Sequence, residues 1–140
     1  MCCHSLKQLL LLLMVQVVLL SGCALIVPVE ERAPSTAPAA ALLAEAEQDL
    51  QAQDYNRAEL QLERALRVDP HNGRAWHLMA QVRYGQRDYG QTVQFCLKSN
   101  TLDDHDRTLK KQNWELLEKA YTGMGETAKA EEARKKAESL

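Results

Sequence analysis

Hydrophobic and polar positions divide the chain into three regimes. Leu9 to Leu20 is an apolar run broken only by Gln16. Ala24 to about Ala40 has no period and scatters Pro28, Pro34 and Pro38 among Ala, Val, Ser, Thr and Glu. From there on, apolar residues recur at helical spacing. Leu43, Ala46 and Leu50 form one stripe, and Ala58, Leu62, Ala65 and Leu66 form the next. Pro38 suits the first turn of the first helix. Asp69-Pro70 and Asn72-Gly73 close the second helix and turn the chain. Trp76, Met79, Ala80 and Val82 open a third helix, and Gly85 and Gly90 bracket another turn. Trp114, Leu117, Ala120 and Tyr121 share a later face that Gly123 and Gly125 break. Thr127 to Leu140 reads as a polar final helix. The pattern predicts six helices in three hairpins, an all-α fold.

Composition supports that reading. With 140 residues the chain holds one small domain. Little β-branching follows Val29, which favours helix over strand. The formal net charge of −2 argues against nucleic acid as a partner. Interleaved Glu and Arg/Lys mark solvated helix faces.

The chain also repeats itself. Gln53-Asp54-Tyr55 returns as Arg87-Asp88-Tyr89, a shift of 34 along the numbering. At the same shift Leu42 pairs with Trp76, Ala46 with Ala80 and Leu62 with Cys96. In this period and in these residue types the chain resembles the tetratricopeptide repeat (TPR), a helix–turn–helix unit that stacks into a short solenoid. The first unit carries the resemblance through Leu42, Ala46, Tyr55, Ala58, Leu62, Ala65 and Pro70. The second does so through Trp76, Met79, Ala80, Tyr89 and Cys96, and the third through Trp114, Leu117, Tyr121, Gly125, Ala130 and Ala137. The units fall at about 39–72, 73–106 and 111–140, within a repeat domain at 41–140. Ala46, Ala80, Ala58 and Ala65 are small where helices of one unit cross closely. Each hairpin has an apolar face that only a neighbour can cover. The pattern is departed from at Glu45, Thr92, Ser99, Asp104, Glu118 and Arg134. Trp76 and Trp114 are 38 apart, so the stretch from Asn100 to Lys110 carries an insertion, expected as a longer loop or an added helical turn.

The N-terminal regime is an address. Lys7 precedes an apolar core too short for a comfortable membrane span. Leu20-Ser21-Gly22-Cys23 resembles the bacterial lipobox, which implies a signal peptide at 1–22, cleavage before Cys23, and lipidation of that thiol. Several acyl chains then anchor the protein stably. Ala24 stands where an Asp would favour the inner membrane, so the resemblance implies the outer membrane, facing the periplasm. Residues 23–40 become the lipidated Cys and a disordered tether. About 17 residues could reach on the order of 50–60 Å when extended. Cys96 remains as a lone thiol at a packing position.

The sequence offers no nucleophile constellation, phosphate loop or zinc-spaced cysteines, so neither a catalytic site, a metal nor a cofactor is expected. Asp103-Asp104-His105-Asp106 reads as a polar loop with an N-cap at Asp104 or Asp106. Trp76 and Trp114 are expected in the core. Carrying over the family's groove positions implies a concave partner-binding face made by Leu43, Glu47 and Leu50 in the first unit, Arg74, His77, Gln81 and Tyr84 in the second, and Glu115 and Lys119 in the third.

Lipid anchor, tether and short repeat domain together resemble the TPR lipoprotein activators of class A penicillin-binding proteins. That resemblance implies a protein-binding adaptor and not an enzyme, with a class A penicillin-binding protein in the periplasm as its partner. A pilotin-like or assembly role at an outer-membrane secretion or pilus complex, or a role as adaptor of peptidoglycan hydrolases, fits the same layout.

Overall fold

The structure, a computed structural model, describes residues 36–140, with side chains from Ala39 onward. The expected signal at 1–22, Cys23 and the tether up to residue 35 lie outside the described residues. Six helices follow in order: α1 (Thr36–Gln51), α2 (Tyr55–Val68), α3 (Gly73–Gly85), α4 (Tyr89–Leu102), α5 (Arg107–Gly123) and α6 (Thr127–Glu138). No strand occurs among the described residues. No helix among them is long and apolar enough to cross a membrane. α1 opens at Thr36, inside the stretch expected as tether. Pro38 falls in its first turn, where a missing N–H costs no hydrogen bond.

Local chemistry sets the helix boundaries. Asp54, Asn72, Asp88 and Asp106 each accept a hydrogen bond from the backbone N–H three residues on, at 3.1, 2.9, 3.0 and 2.9 Å. Each such cap contributes about 1 kcal/mol. Asp106 is thus the N-cap in the acidic loop, while Asp104 is ion-paired with Lys110. The turns inside the three hairpins are built alike. The N–H groups of Asp54, Asp88 and Glu126 reach back five residues to the carbonyls of Asp49, Arg83 and Tyr121, at 2.8, 2.9 and 2.9 Å. The residue before each is left-handed: Gln53 at φ 58°, Arg87 at φ 63° and Gly125 at φ 75°. This is the Schellman helix ending.

Two apolar clusters hold the stack together. Ala46, Ala58, Leu62, Leu78, Met79 and Val82 join the first unit to the second. Ala80, Cys96, Leu116, Leu117 and Ala133 join the second to the third, and Phe95 packs against both clusters. Leu62, Leu78 and Leu117 are essentially fully buried, each worth roughly 1.5–3 kcal/mol of transfer free energy. Ala46, Ala58 and Ala80 are completely buried, as close helix crossings require.

The insertion before the third unit is an added turn of helix. N-caps Asn72 and Asp106 keep the period of the first two units, but α5 has 17 residues where α3 has 13. The buried residues Asn113, Leu116, Leu117 and Ala120 follow the longer spacing of the two tryptophans, so the extra turn lies at the start of α5. The tryptophans, expected in the core, lie at its edge: Trp114 packs against the second cluster, and Trp76 against Phe95 with ring centroids 5.3 Å apart. Both are half-buried and lie beneath a lysine of the following helix: Lys98 Nζ is 3.7 Å from the Trp76 ring centroid, and Lys136 Nζ 4.5 Å from that of Trp114. Trp76 Nε1 also donates to the Pro70 carbonyl at 3.0 Å. An indole with a polar edge and a cation-binding face is best placed at the boundary of a core.

Candidate functional site

Helices α1, α3 and α5 together line a groove of about 570 Å³. Each gives it one leucine: Leu50, Leu78 and Leu116. Tyr55 of α2 and Tyr84 of α3 add aromatic surface. Arg74 bridges the first two units across it, with Nη2 2.7 Å and Nε 3.3 Å from Glu47 Oε1. Glu115 and Lys119 stand exposed on the α5 side. The groove therefore combines an apolar and aromatic surface with four ionised groups whose charges cancel.

Of the nine residues expected on a partner-binding face, Glu47, Leu50, Arg74, His77, Gln81, Tyr84, Glu115 and Lys119 line this groove. Leu43 does not. One turn before Glu47, its side chain packs against the cluster between the first and second units. His77 belongs to the groove but not as the exposed contact the repeat pattern implies, because it is only 3% exposed. Both its ring nitrogens are engaged, Nδ1 by Asn113 Oδ1 at 2.7 Å and Nε2 by Gln81 Nε2 at 2.8 Å. Burial, which disfavours the charged imidazolium, holds its pKa below the ordinary value of 6.5. The Asn113 hydrogen bond and Glu47 oppose that shift, and Arg74 adds to it.

Several groove residues have no counterpart in the sequence expectation. Gln51, Tyr55, Leu78, Gln112 and Leu116 also line it. Tyr55, expected only as a repeat residue of its own unit, lies against Gly85 of the next hairpin, where an added Cβ would overlap Tyr55 Cε1. Tyr89 sits against Gly123 in the same way, one unit on, with 2.7 Å to Cε2. The recurrence of Tyr55 with Gly85 as Tyr89 with Gly123 was the available signal. Asn113 was also missed, although a polar residue inside the apolar stripe of α5 marks it.

The remaining candidates resolve into structural roles. Cys96 is completely buried, and burial pushes its thiol up to about 12, so no thiolate forms near neutral pH. No group of three or more His, Cys, Asp or Glu among the described residues is placed to hold a metal ion. A smaller cavity of about 280 Å³ lies between α4, α5 and α6, with Trp114, Tyr121 and Leu97 in its wall. Lys136 and Lys129, over its two rings, are ion-paired with Glu132 at 2.7 Å and Glu126 at 2.5 Å.

No protein-family model matches the chain, and no curated relative does. Among solved structures, the globular C-terminal domain of P. aeruginosa LpoP matches with a TM-score of 0.69 and 34% sequence identity, over 72% of this chain and 95% of that one. The chain belongs to the LpoP family. The match takes in nearly all of the P. aeruginosa LpoP domain. Membership in the LpoP family agrees with the all-α repeat domain that the sequence pattern predicts.

Proposed function

We propose that this chain is an outer-membrane lipoprotein, anchored through Cys23 and facing the periplasm, whose three-hairpin domain docks on a class A penicillin-binding protein and activates it. The observation that carries this reading is the 34% identity with P. aeruginosa LpoP across 95% of its globular domain. The groove supplies a suitable docking surface. It has aromatic anchors, an Arg and an apolar floor, the mixture in which a few residues dominate binding. Activation follows if the groove binds the synthase more tightly in its active conformation, since a ligand shifts an equilibrium only by its differential affinity. The tether from Ala24 lets the domain work away from the membrane that holds Cys23.

The test is capture from detergent-solubilised envelopes by the mature chain, Cys23 to Leu140, beside an Arg74→Ala/Tyr84→Ala variant. Both side chains line the groove; Tyr84 also packs against the second cluster and on Tyr89, so the helix content and thermal midpoint of the variant are first matched to those of the wild type. A penicillin-binding protein should be enriched by the wild type and reduced at least ten-fold by the variant, as expected for loss of two anchoring side chains. The purified chain should also raise that synthase's glycan-polymerising rate. Capture of a secretin or pilus subunit in its place would remove this reading.

A further inference from the structure

A relay of hydrogen bonds passes from the backbone of α3 through α4 and α5 and returns to the groove, and its polarity is fixed at one end. The Gly73 carbonyl can only accept, so the Ser99 hydroxyl commits its proton there, at 2.8 Å. Ser99 Oγ is left as an acceptor and must face a donor. Asn113 therefore turns Nδ2 to it, at 2.8 Å, and the same Nδ2 donates to Asn100 Oδ1 at 2.9 Å. Asn113 Oδ1 then points at His77 Nδ1, 2.7 Å away, which must carry the ring proton. In a neutral imidazole this leaves Nε2 as a bare acceptor, and it takes the N–H of Gln81 Nε2 at 2.8 Å. His77, Ser99 and Asn113 are all buried, so solvent does not compete for these hydrogen bonds. A backbone carbonyl thus dictates each amide orientation and the ring tautomer in turn.

The consequence reaches the surface at Gln81. Its Nε2 is held inward by His77, and its Oε1 has no hydrogen-bond partner among the described residues, on a side chain that lines the groove. An ordinary glutamine offers a partner either end of its amide. From this geometry we infer that Gln81 is a polarity-locked acceptor, and that the groove selects a partner segment presenting a neutral hydrogen-bond donor at that point, a backbone N–H or a hydroxyl, between apolar side chains seated on Leu78 and Leu116. The donor is neutral because Glu47, Arg74, Glu115 and Lys119 cancel one another, leaving no excess charge to offset burial of a cation or anion. A segment offering an acceptor there would have to break the His77–Gln81 bond to turn the amide. The inference rests on the reading that the groove is the docking site.

Two measurements on the full mature chain in detergent test it. Long-range proton–nitrogen correlation of the imidazoles at pH 7.5 reads the His77 tautomer. The Nδ1–H form is expected, and the Nε2–H form overturns the relay whatever the partner. Binding to a purified, detergent-solubilised class A penicillin-binding protein is then compared for wild type, Gln81→Met and Tyr84→Ala. Methionine keeps the length of the side chain but removes the acceptor, so the affinity should fall roughly three- to ten-fold, the worth of one neutral hydrogen bond. Gln81→Leu also removes the acceptor, without adding charge, and should show the same loss of roughly three- to ten-fold. It supplies the comparison should Gln81→Met unfold, and wild-type affinity in folded Gln81→Leu overturns the inference. If Tyr84→Ala weakens binding while Gln81→Met does not, the groove is the dock but the acceptor is not read. If neither matters, the docking reading falls and takes this inference with it.

Discussion

His77 shows how a single residue can sit where the repeat pattern puts it and still do something else. Its position on the groove face was legible, because it stands one repeat period after Leu43, on the first helix of the next unit. Its burial was not. The partner that draws it inward, Asn113, comes from the third unit, where the register has moved from 34 to 38, so a fixed-period comparison never sets the two side by side. Because the folded state holds His77 below its ordinary value of 6.5, the folded chain binds fewer protons than the unfolded chain just under that pH. Stability from the neutral, hydrogen-bonded ring is therefore fully present above about pH 7 and declines as the pH falls through 6.5 toward the lowered folded value. Urea midpoints of wild type and His77→Gln measured between pH 5 and 8 should diverge at neutral pH and converge on acidification. A difference that does not change with pH would mean that His77 is not held neutral by the fold. Cys96 is the opposite case. Its place in the repeat announced a packing thiol, and the structure buries it completely.

Helices were the most legible level. The cap expected at Asp104 or Asp106 falls on Asp106, because side-chain capping acts within three residues and a single sequence carries it; those at Asp54, Asn72 and Asp88 obey the same chemistry. The glycines were harder to read. Gly85 looks like a turn-former, yet the left-handed position of that turn is taken by Arg87, and of the preceding one by Gln53. What Gly85 supplies is room: the Tyr55 ring from the preceding unit occupies the space a side chain would need, an inter-unit contact invisible to local pattern. Gly85→Ala puts a Cβ inside the van der Waals envelope of the ring and forces Tyr55 to move. The substitution should cost about 1–3 kcal/mol despite alanine's better helix propensity. Gly90→Ala is its control. It meets nothing closer than Asp88 Oδ1 at 3.7 Å. It should be neutral or stabilise α4 by up to about 0.5 kcal/mol. Denaturation midpoints at constant slope separate the two. Equal effects would mean that the tyrosine contact is not what Gly85 serves.

At the scale of the whole molecule, the departures from the repeat fall on the outward faces of the described stack. The second unit offers Ala80, Val93 and Cys96 to the third, which covers them. Their counterparts in the third unit, at its shifted register, are Glu118, Glu131 and Arg134, and no further described helix covers them. Arg134 instead binds Glu131 through Nε and Nη2, at 3.0 and 2.7 Å, and Glu138 through Nη1 at 2.9 Å. On the first unit, Glu45 and Gln48 stand one repeat period before the core residues Met79 and Val82, and both are exposed. Residues that weaken the repeat as a sequence pattern are those that give a solenoid its solvated outer faces. The third hairpin is thus a complete unit in its helices and a cap in its outward chemistry. Replacing the polar set by its apolar counterparts, with Glu118→Ala, Glu131→Val and Arg134→Leu, should leave the hairpin folded and expose an uncovered interface. The first unit's outer face is still polar and offers no match, so two such faces should meet each other and close a two-fold dimer. Sedimentation over a range of concentrations should show a larger mass for the triple variant than for wild type. Capture of the synthase should be unchanged, because the groove lies on other surfaces of α1, α3 and α5. An unchanged mass would mean that the charges on this face are incidental to where the stack stops. Altered capture would mean that the end face, and not the groove alone, meets the partner.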